Sequence, residues 1–152
     1  MDFELYFESV SRKSKRITTM VGGFNDEKLD PHYLGYFQCF NKQLFYEAHE
    51  VLEHLWFKDR YGPNGAFYKG LIQLAGAFVH LQRNHLHPAA ALFKLACANL
   101  EKYPRFHEHL NLDATRKLAR KWLEDLERTR FGVNPLTSQT APELKLERTG
   151  HE

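Results

Sequence analysis

Several things are scarce or missing in this sequence. There are only two cysteines, Cys39 and Cys97, too few for a disulfide-stapled scaffold. Both fall in apolar helical patterns and are expected to remain free thiols that behave as small apolar side chains. An excess of one charge is missing too: the formal net charge is +2 with histidine neutral, so the molecule as a whole is no electrostatic reader of nucleic acid. No uncharged apolar run approaches the roughly 20 residues of a membrane-spanning helix, and neither nucleic acid nor membrane is expected as a partner. The opening Met1-Asp2-Phe3-Glu4 is acidic with no apolar stretch behind it, unlike a secretory signal, so the expected localisation is cytoplasmic. No Gly-rich phosphate loop, nucleophile elbow or Cys-x-x-Cys occurs, and Gly62-Pro63-Asn64-Gly65 resembles none of them. Convincing strand patterns are also absent.

What is present is helical periodicity. The 152 residues, 43% hydrophobic, suit one domain with a continuous core. Residues 1–24 have no clear structure: Phe3, Leu5, Tyr6, Phe7 and Val10 fit a short amphipathic helix or an extended segment. The run Arg12-Lys13-Ser14-Lys15-Arg16 is a solvated stretch or a patch for a phosphate or acidic partner. Residues 25–131 read as a single helical domain. Asp30-Pro31 caps a first helix, and Asn41-Lys42-Gln43 turns the chain. A second helix spans about 44–58 and breaks at Tyr61-Gly62-Pro63-Asn64-Gly65. A third, about 66–83, is apolar nearly all round and so central and buried. A fourth runs from Pro88 to Tyr103, and a fifth from an Asp113 cap to Arg128. Short connections make neighbouring helices antiparallel. The expected fold is therefore all-α, an up-and-down bundle of five helices made of two helical hairpins and a closing C-terminal helix. The hairpins loosely echo tetratricopeptide units, without a fixed period. Residues 132–152 carry Pro, Ser and Thr without periodicity and are expected to stay disordered or drape over the surface.

Nine histidines are many for this length. His85, His87, His107 and His109 lie in connections, His32 follows a cap and His151 is near the end; all six are expected on the solvent side. His49, His54 and His80 lie within helices. At 100° per residue, His49, Glu53 and Trp56 form one stripe flanked by Phe45 and Leu52. Glu47, His54 and Lys58 point away, and Glu50 sits at the boundary. On an apolar face Glu53 needs a partner, because an unpaired buried carboxylate costs several kcal/mol or stays neutral; His49 is the nearest. On the third helix Gln73, His80 and Asn84 form a polar stripe beside the small Gly76 and Ala77. Antiparallel packing of the two helices sets His49 and Glu53 opposite Gln73 and His80.

Two readings of that cluster stand side by side. One is a buried hydrogen-bond network that fixes helix register, the commoner arrangement in cores. The other is a ligand or metal site. His49, Glu53 and His80 are a donor set suited to zinc with a fourth position left for water, and Glu50 is then the candidate general base. Glu47, Gln73, Asn84 and Trp56 are its supporting polar residues. No His-Glu-x-x-His is present, because the residue four after His49 is Glu53.

The segments Phe40-Asn41, Tyr46-Glu47-Ala48-His49-Glu50-Val51-Leu52-Glu53 with Trp56, Gly70-Leu71-Ile72-Gln73-Leu74-Ala75-Gly76-Ala77 with His80 and Asn84, and Ala89-Ala90 together resemble the domain-of-unknown-function-309 family over about residues 33–103. The resemblance implies a small helical prokaryotic protein, described in that family as a predicted metal-dependent hydrolase without an established substrate. It also marks Glu47, His49, Glu50, Glu53, Trp56, Gln73, His80 and Asn84 as motif positions. One departure is His87-Pro88-Ala89, where the family pattern has Gly-Ala after the Asn-containing turn. The leading expectation is a metal-dependent hydrolase holding one divalent metal, zinc by its donors, and acting on a small molecule. The alternative is a non-enzymatic interaction or oligomerisation module, such as a homodimer, whose His/Glu cluster only packs.

Overall fold

The computed structural model describes residues 29–147. The readings of residues 1–24, of the basic run 12–16 and of His151 lie outside the described residues.

Helix α1 (Pro31–Asn41) starts where the sequence places it: Asp30 Oδ1 accepts the His32 backbone N–H at 2.7 Å, with Pro31 at the first helical position. It ends at Lys42, followed by Gln43 at φ 64°. Helix α2 (Phe45–Asp59) buries Phe45, Ala48, Val51 and Leu52. Helix α3 (Gly65–Gln82) is buried nearly all round, as expected of an apolar helix. Helix α4 (Leu86–Leu100) begins two residues before Pro88, which is tolerated there because first-turn N–H groups lack helical partners anyway. Helix α5 (Leu112–Arg128) is capped by Asn111, whose Oδ1 accepts the Ala114 N–H at 3.0 Å, and not by Asp113.

Consecutive helices are neighbours in space, α1 on α2, α2 on α3, α3 on α4 and α4 on α5, so the chain is a five-helix bundle, mostly all-α. Phe78 of α3 sits at its centre. Its ring meets Phe40 of α1 edge-on, stacks on Phe45 of α2, and meets Phe93 of α4 and Trp122 of α5 edge-on, with centroids 5.0–5.6 Å apart. Gly70 lets α3 and α4 approach closely: a Cβ there would stand 2.9 Å from the Leu100 side chain. No helix among the described residues is long and apolar enough to cross a membrane.

Two features depart from the sequence reading. A small antiparallel hairpin, β1 (Phe106–His107) and β2 (Leu110–Asn111), precedes α5. Strands of two residues are too short to show alternation, which is why no pattern announced them. The turn residues Glu108 and His109 both hold positive φ, 50° and 63°, as a two-residue hairpin turn requires. Contacts from outside fix that strained turn: the Tyr33 hydroxyl donates to Glu108 O at 2.6 Å, and the Glu147 N–H to His109 O at 2.7 Å.

The second departure is the segment 132–147. Of the two courses open to it, the structure shows the draped one. Asn134 Nδ2 donates to Leu81 O at 2.6 Å. Asn41 grips Leu144 with both ends of its amide, at 2.7 and 2.8 Å, and Leu144 is buried. Leu146 then bridges to Leu110.

Candidate functional site

Helix α2 positions the first half of the site, with a correction. Its core face is Phe45, Ala48, Val51 and Leu52, so the stripe His49–Glu53–Trp56 runs along the rim of that face, not down its middle. The side chains of His49 and Glu53 are 30% and 47% exposed. Glu53 therefore keeps much of its hydration, and the burial argument for a compulsory partner weakens. The pair still forms, with His49 Nε2 3.6 Å from Glu53 Oε2.

Helix α3 supplies the second half. Lys69, Ile72, Gln73, Gly76, Val79, His80 and Arg83 recur at helical spacing along one stripe, and all of them line one cavity of about 270 Å³. Tyr46 and His49 of α2 form one wall, and Leu92 of α4 part of the other. Gly76 keeps the passage open: a Cβ there would press to 3.2 Å from Leu92 Cδ1. His49, Gln73 and His80 are thus brought to a single cavity.

The polar atoms of this cavity share one character. His49 Nδ1 and His80 Nδ1 are each sealed from solvent without a hydrogen-bond partner among the described residues. That leaves Nε2 as the ring nitrogen with access, turned toward Glu53 in His49 and available to the cavity in His80. Burial pushes the His80 imidazole below the ordinary histidine range, with the neighbouring charges of His85 and Arg83 acting the same way. Gln73 Oε1 accepts from Asn99 Nδ2 at 2.8 Å, which occupies the amide oxygen and leaves the Gln73 N–H groups for the cavity. Lys69 Nζ stands 4.3 Å over the Trp56 ring, and the Arg83 guanidinium 6.0 Å over Tyr46. Neither cation makes an ion pair among the described residues, and no carboxylate of those residues lines the cavity.

The other expected site residues lie elsewhere. Glu50 and Glu53 line a separate groove with His54, Phe57 and Lys58; Glu50 also raises the pKa of Tyr46, on the wall of the main cavity, through a hydrogen bond and its charge. Glu47 is half-buried on α2, outside both grooves. Trp56 reaches the cavity only through Lys69. Asn84 is exposed beyond the end of α3 at φ 59°, where its side chain accepts from Asn134 at 3.2 Å; it shapes the turn, as Asn tolerates a left-handed conformation. His32, expected in solvent, is buried and stacks on His54 with centroids 4.4 Å apart. His107 is half-buried, its Nε2 2.7 Å from Asn64 Oδ1.

The residues as placed do not suit zinc. Among those described, no three His, Cys, Asp or Glu side chains are grouped to hold a metal ion. The cavity that holds both imidazoles is lined by two cations, which repel a dication. Sequence reasoning missed Lys69, Arg83, Tyr46 and Asn99. The first two were within reach: extending the Gln73/His80 stripe by four residues backward and three forward lands on Lys69 and Arg83. Asn99 had no local signal, because it meets Gln73 across 26 positions.

Residues 33–92 match the family model described as Domain of unknown function (DUF309), which supports the family likeness read from the motifs. The match runs from α1 into α4 and contains every motif residue named above. No curated protein and no solved structure matches the chain.

Proposed function

We infer that the DUF309 segment of this chain builds a small-molecule active site in the groove between α2, α3 and α4, and that its chemistry is hydrolysis with His80 as general base. One observation carries the reading: His80 lines the cavity with one ring nitrogen sealed, the other available, and the imidazole biased toward its neutral, basic form. In this scheme a water gives its proton to His80 Nε2 as its oxygen bonds to the electrophilic carbon of an ester or amide. Negative charge then develops on the former carbonyl oxygen. The Gln73 N–H groups are the donors placed to stabilise it. The tetrahedral intermediate then collapses: the carbonyl re-forms, the C–O or C–N bond to the leaving group breaks, and the leaving alkoxide or amine takes the proton held by His80. No step runs through a metal, because the donor set as placed does not suit one. Glu50, the base expected from the motif, faces the other groove.

The test is a panel of p-nitrophenyl esters, anilides and phosphoesters assayed with the wild type and His80→Gln. A competent substrate should lose about 100-fold or more in kcat with His80→Gln, the usual scale of a general base. The acidic limb of its pH profile, where the rate rises as His80 loses its proton below the ordinary histidine value of about 6.5, should vanish with it. Full activity in His80→Gln, or an inert wild type across the panel, defeats the assignment.

A second reading is favoured by one surface feature. Phe57 and Tyr61 are 63% and 91% exposed, and the Arg60 guanidinium stacks over both, at 4.6 and 4.9 Å. Exposed aromatics with arginine are typical of interface centres. Light scattering of wild type and Tyr61→Ser tests it: a dimer that Tyr61→Ser splits supports an interface, and a monomer in both ends it.

A further inference from the structure

The cavity is not merely polar; its polar groups are sorted along its length. Lys69 and Arg83 are fourteen residues apart on the same stripe of α3, about 21 Å between Cα atoms at 1.5 Å per residue. Their long side chains can lean inward over part of that distance. Between them the floor is apolar, formed by Ile72, Val79 and Leu92, with Gly76 leaving room. Gln73, whose amide oxygen Asn99 already occupies, stands one turn from Lys69, and His80 stands one turn from Arg83, with His49 of α2 on the facing wall. Each end thus carries a cation without an ion pair among the described residues, each beside an aromatic ring, Trp56 at the Lys69 end and Tyr46 at the Arg83 end.

From this arrangement we propose that the groove takes a slender, linear molecule with an anionic group at each end and an apolar stem between them. The inference rests on the groove's being the active site and adds the class of substrate. Such a molecule neutralises Lys69 with one terminus and Arg83 with the other, the guanidinium accepting a carboxylate in bidentate fashion. Its stem covers the apolar floor, excluding water from the imidazoles. A volume of about 270 Å³ is at the small end of ligand pockets, which fits a single chain and not a fused ring system. A bond within the stem, at the level of His80, is the one exposed to the base. A ligand with one anionic end leaves the other cation unpaired, and a cationic ligand is repelled at both.

The experiment is calorimetric titration of the full chain with α,ω-dicarboxylates from succinate to sebacate, each beside the monocarboxylate of the same chain length. One dicarboxylate length should bind best and at least ten-fold tighter than its monocarboxylate. Lys69→Met and Arg83→Met should each reduce that advantage to three-fold or less, and raising the salt concentration should do the same. Lys69 is half-buried on α3 and Arg83 is exposed at its C-cap, and circular dichroism verifies the folding of both variants. Equal binding of the two series, a ten-fold advantage that survives both substitutions, or no binding by any acid overturns the proposal. These failures are separable from failure of the active-site reading. A His80-dependent hydrolysis with no dicarboxylate preference sinks only the two-ended ligand. A dicarboxylate preference with no His80-dependent chemistry sinks only the enzyme.

Discussion

Two polar clusters of this molecule each contain a histidine whose pKa burial pushes down, His80 in the groove and His107 at the hairpin. They differ in what surrounds the ring. At the hairpin the polar groups answer one another: His107 Nε2 meets Asn64 Oδ1 at 2.7 Å, the Tyr103 hydroxyl donates to Pro63 O at 2.7 Å and accepts the Phe67 N–H at 3.0 Å, and the Tyr33 hydroxyl donates to Glu108 O. In the groove, His49 Nδ1 and His80 Nδ1 have no partner, and Lys69 and Arg83 have no counter-charge among the described residues. Burial alone therefore does not mark a functional site here. A buried polar group left without a partner costs about 1–3 kcal/mol, and a network that closes on itself recovers that cost. The hairpin cluster closes; the groove stays open toward a ligand.

The comparison can be attacked from several sides. Truncating the centre of the helical core, Phe78→Ala, should cost about 3–5 kcal/mol in urea unfolding, as expected for a buried aromatic at a multi-helix contact. Both clusters should be weakened together. At the hairpin, Asn64→Ala should cost about 1–3 kcal/mol, because it strips His107 of its partner, while leaving the NMR signals of His80 unmoved. The groove should behave in the opposite sense: His80→Leu removes an unpartnered nitrogen and should leave stability unchanged or raise it by up to about 1 kcal/mol. A loss as large as that of Asn64→Ala would make the groove a structural network after all.

The smallest effect concerns pH. The folded-state pKa values of His80 and His107 lie below the unfolded value of about 6.5, so the folded protein binds fewer protons than the unfolded chain between those values. Stability must then rise with pH through that window, being fully present above about 6.5 and lost as the pH falls through the folded-state values. Unfolding midpoints at pH 5 and pH 7 should differ in that direction, and His80→Gln should reduce the difference but not abolish it. A midpoint flat across the window contradicts both shifts.

How much of this was legible follows the range of each interaction. The five helices were readable because each has a local period and local stop signals; the two-residue strands had neither. The motif residues His49, Gln73 and His80 could be placed on faces from spacing alone, and they do reach one cavity. What spacing could not give was the centre of the α2 core face. The stripe His49–Glu53–Trp56, flanked by Phe45 and Leu52, reads as the apolar face, whereas Glu53 lies at the rim of that face and is 47% exposed. Of the His49/Glu53/His80 set, the two imidazoles line one cavity and Glu53 lines the neighbouring groove, 3.6 Å from His49. The partners Asn99 and Leu92 come from α4, and only the packing of α4 on α3 reveals them.

The most direct test is the titration of His80 itself, followed through its imidazole Cε1–H resonance with and without the best-fitting α,ω-dicarboxylate. In the free protein the ring should titrate below about 6.5, and the bound dianion, by neutralising the cations beside it, should raise that value. A ring that titrates at the ordinary histidine value in the free protein, and does not move when the dianion is added, would contradict the account of an open, anion-seeking groove.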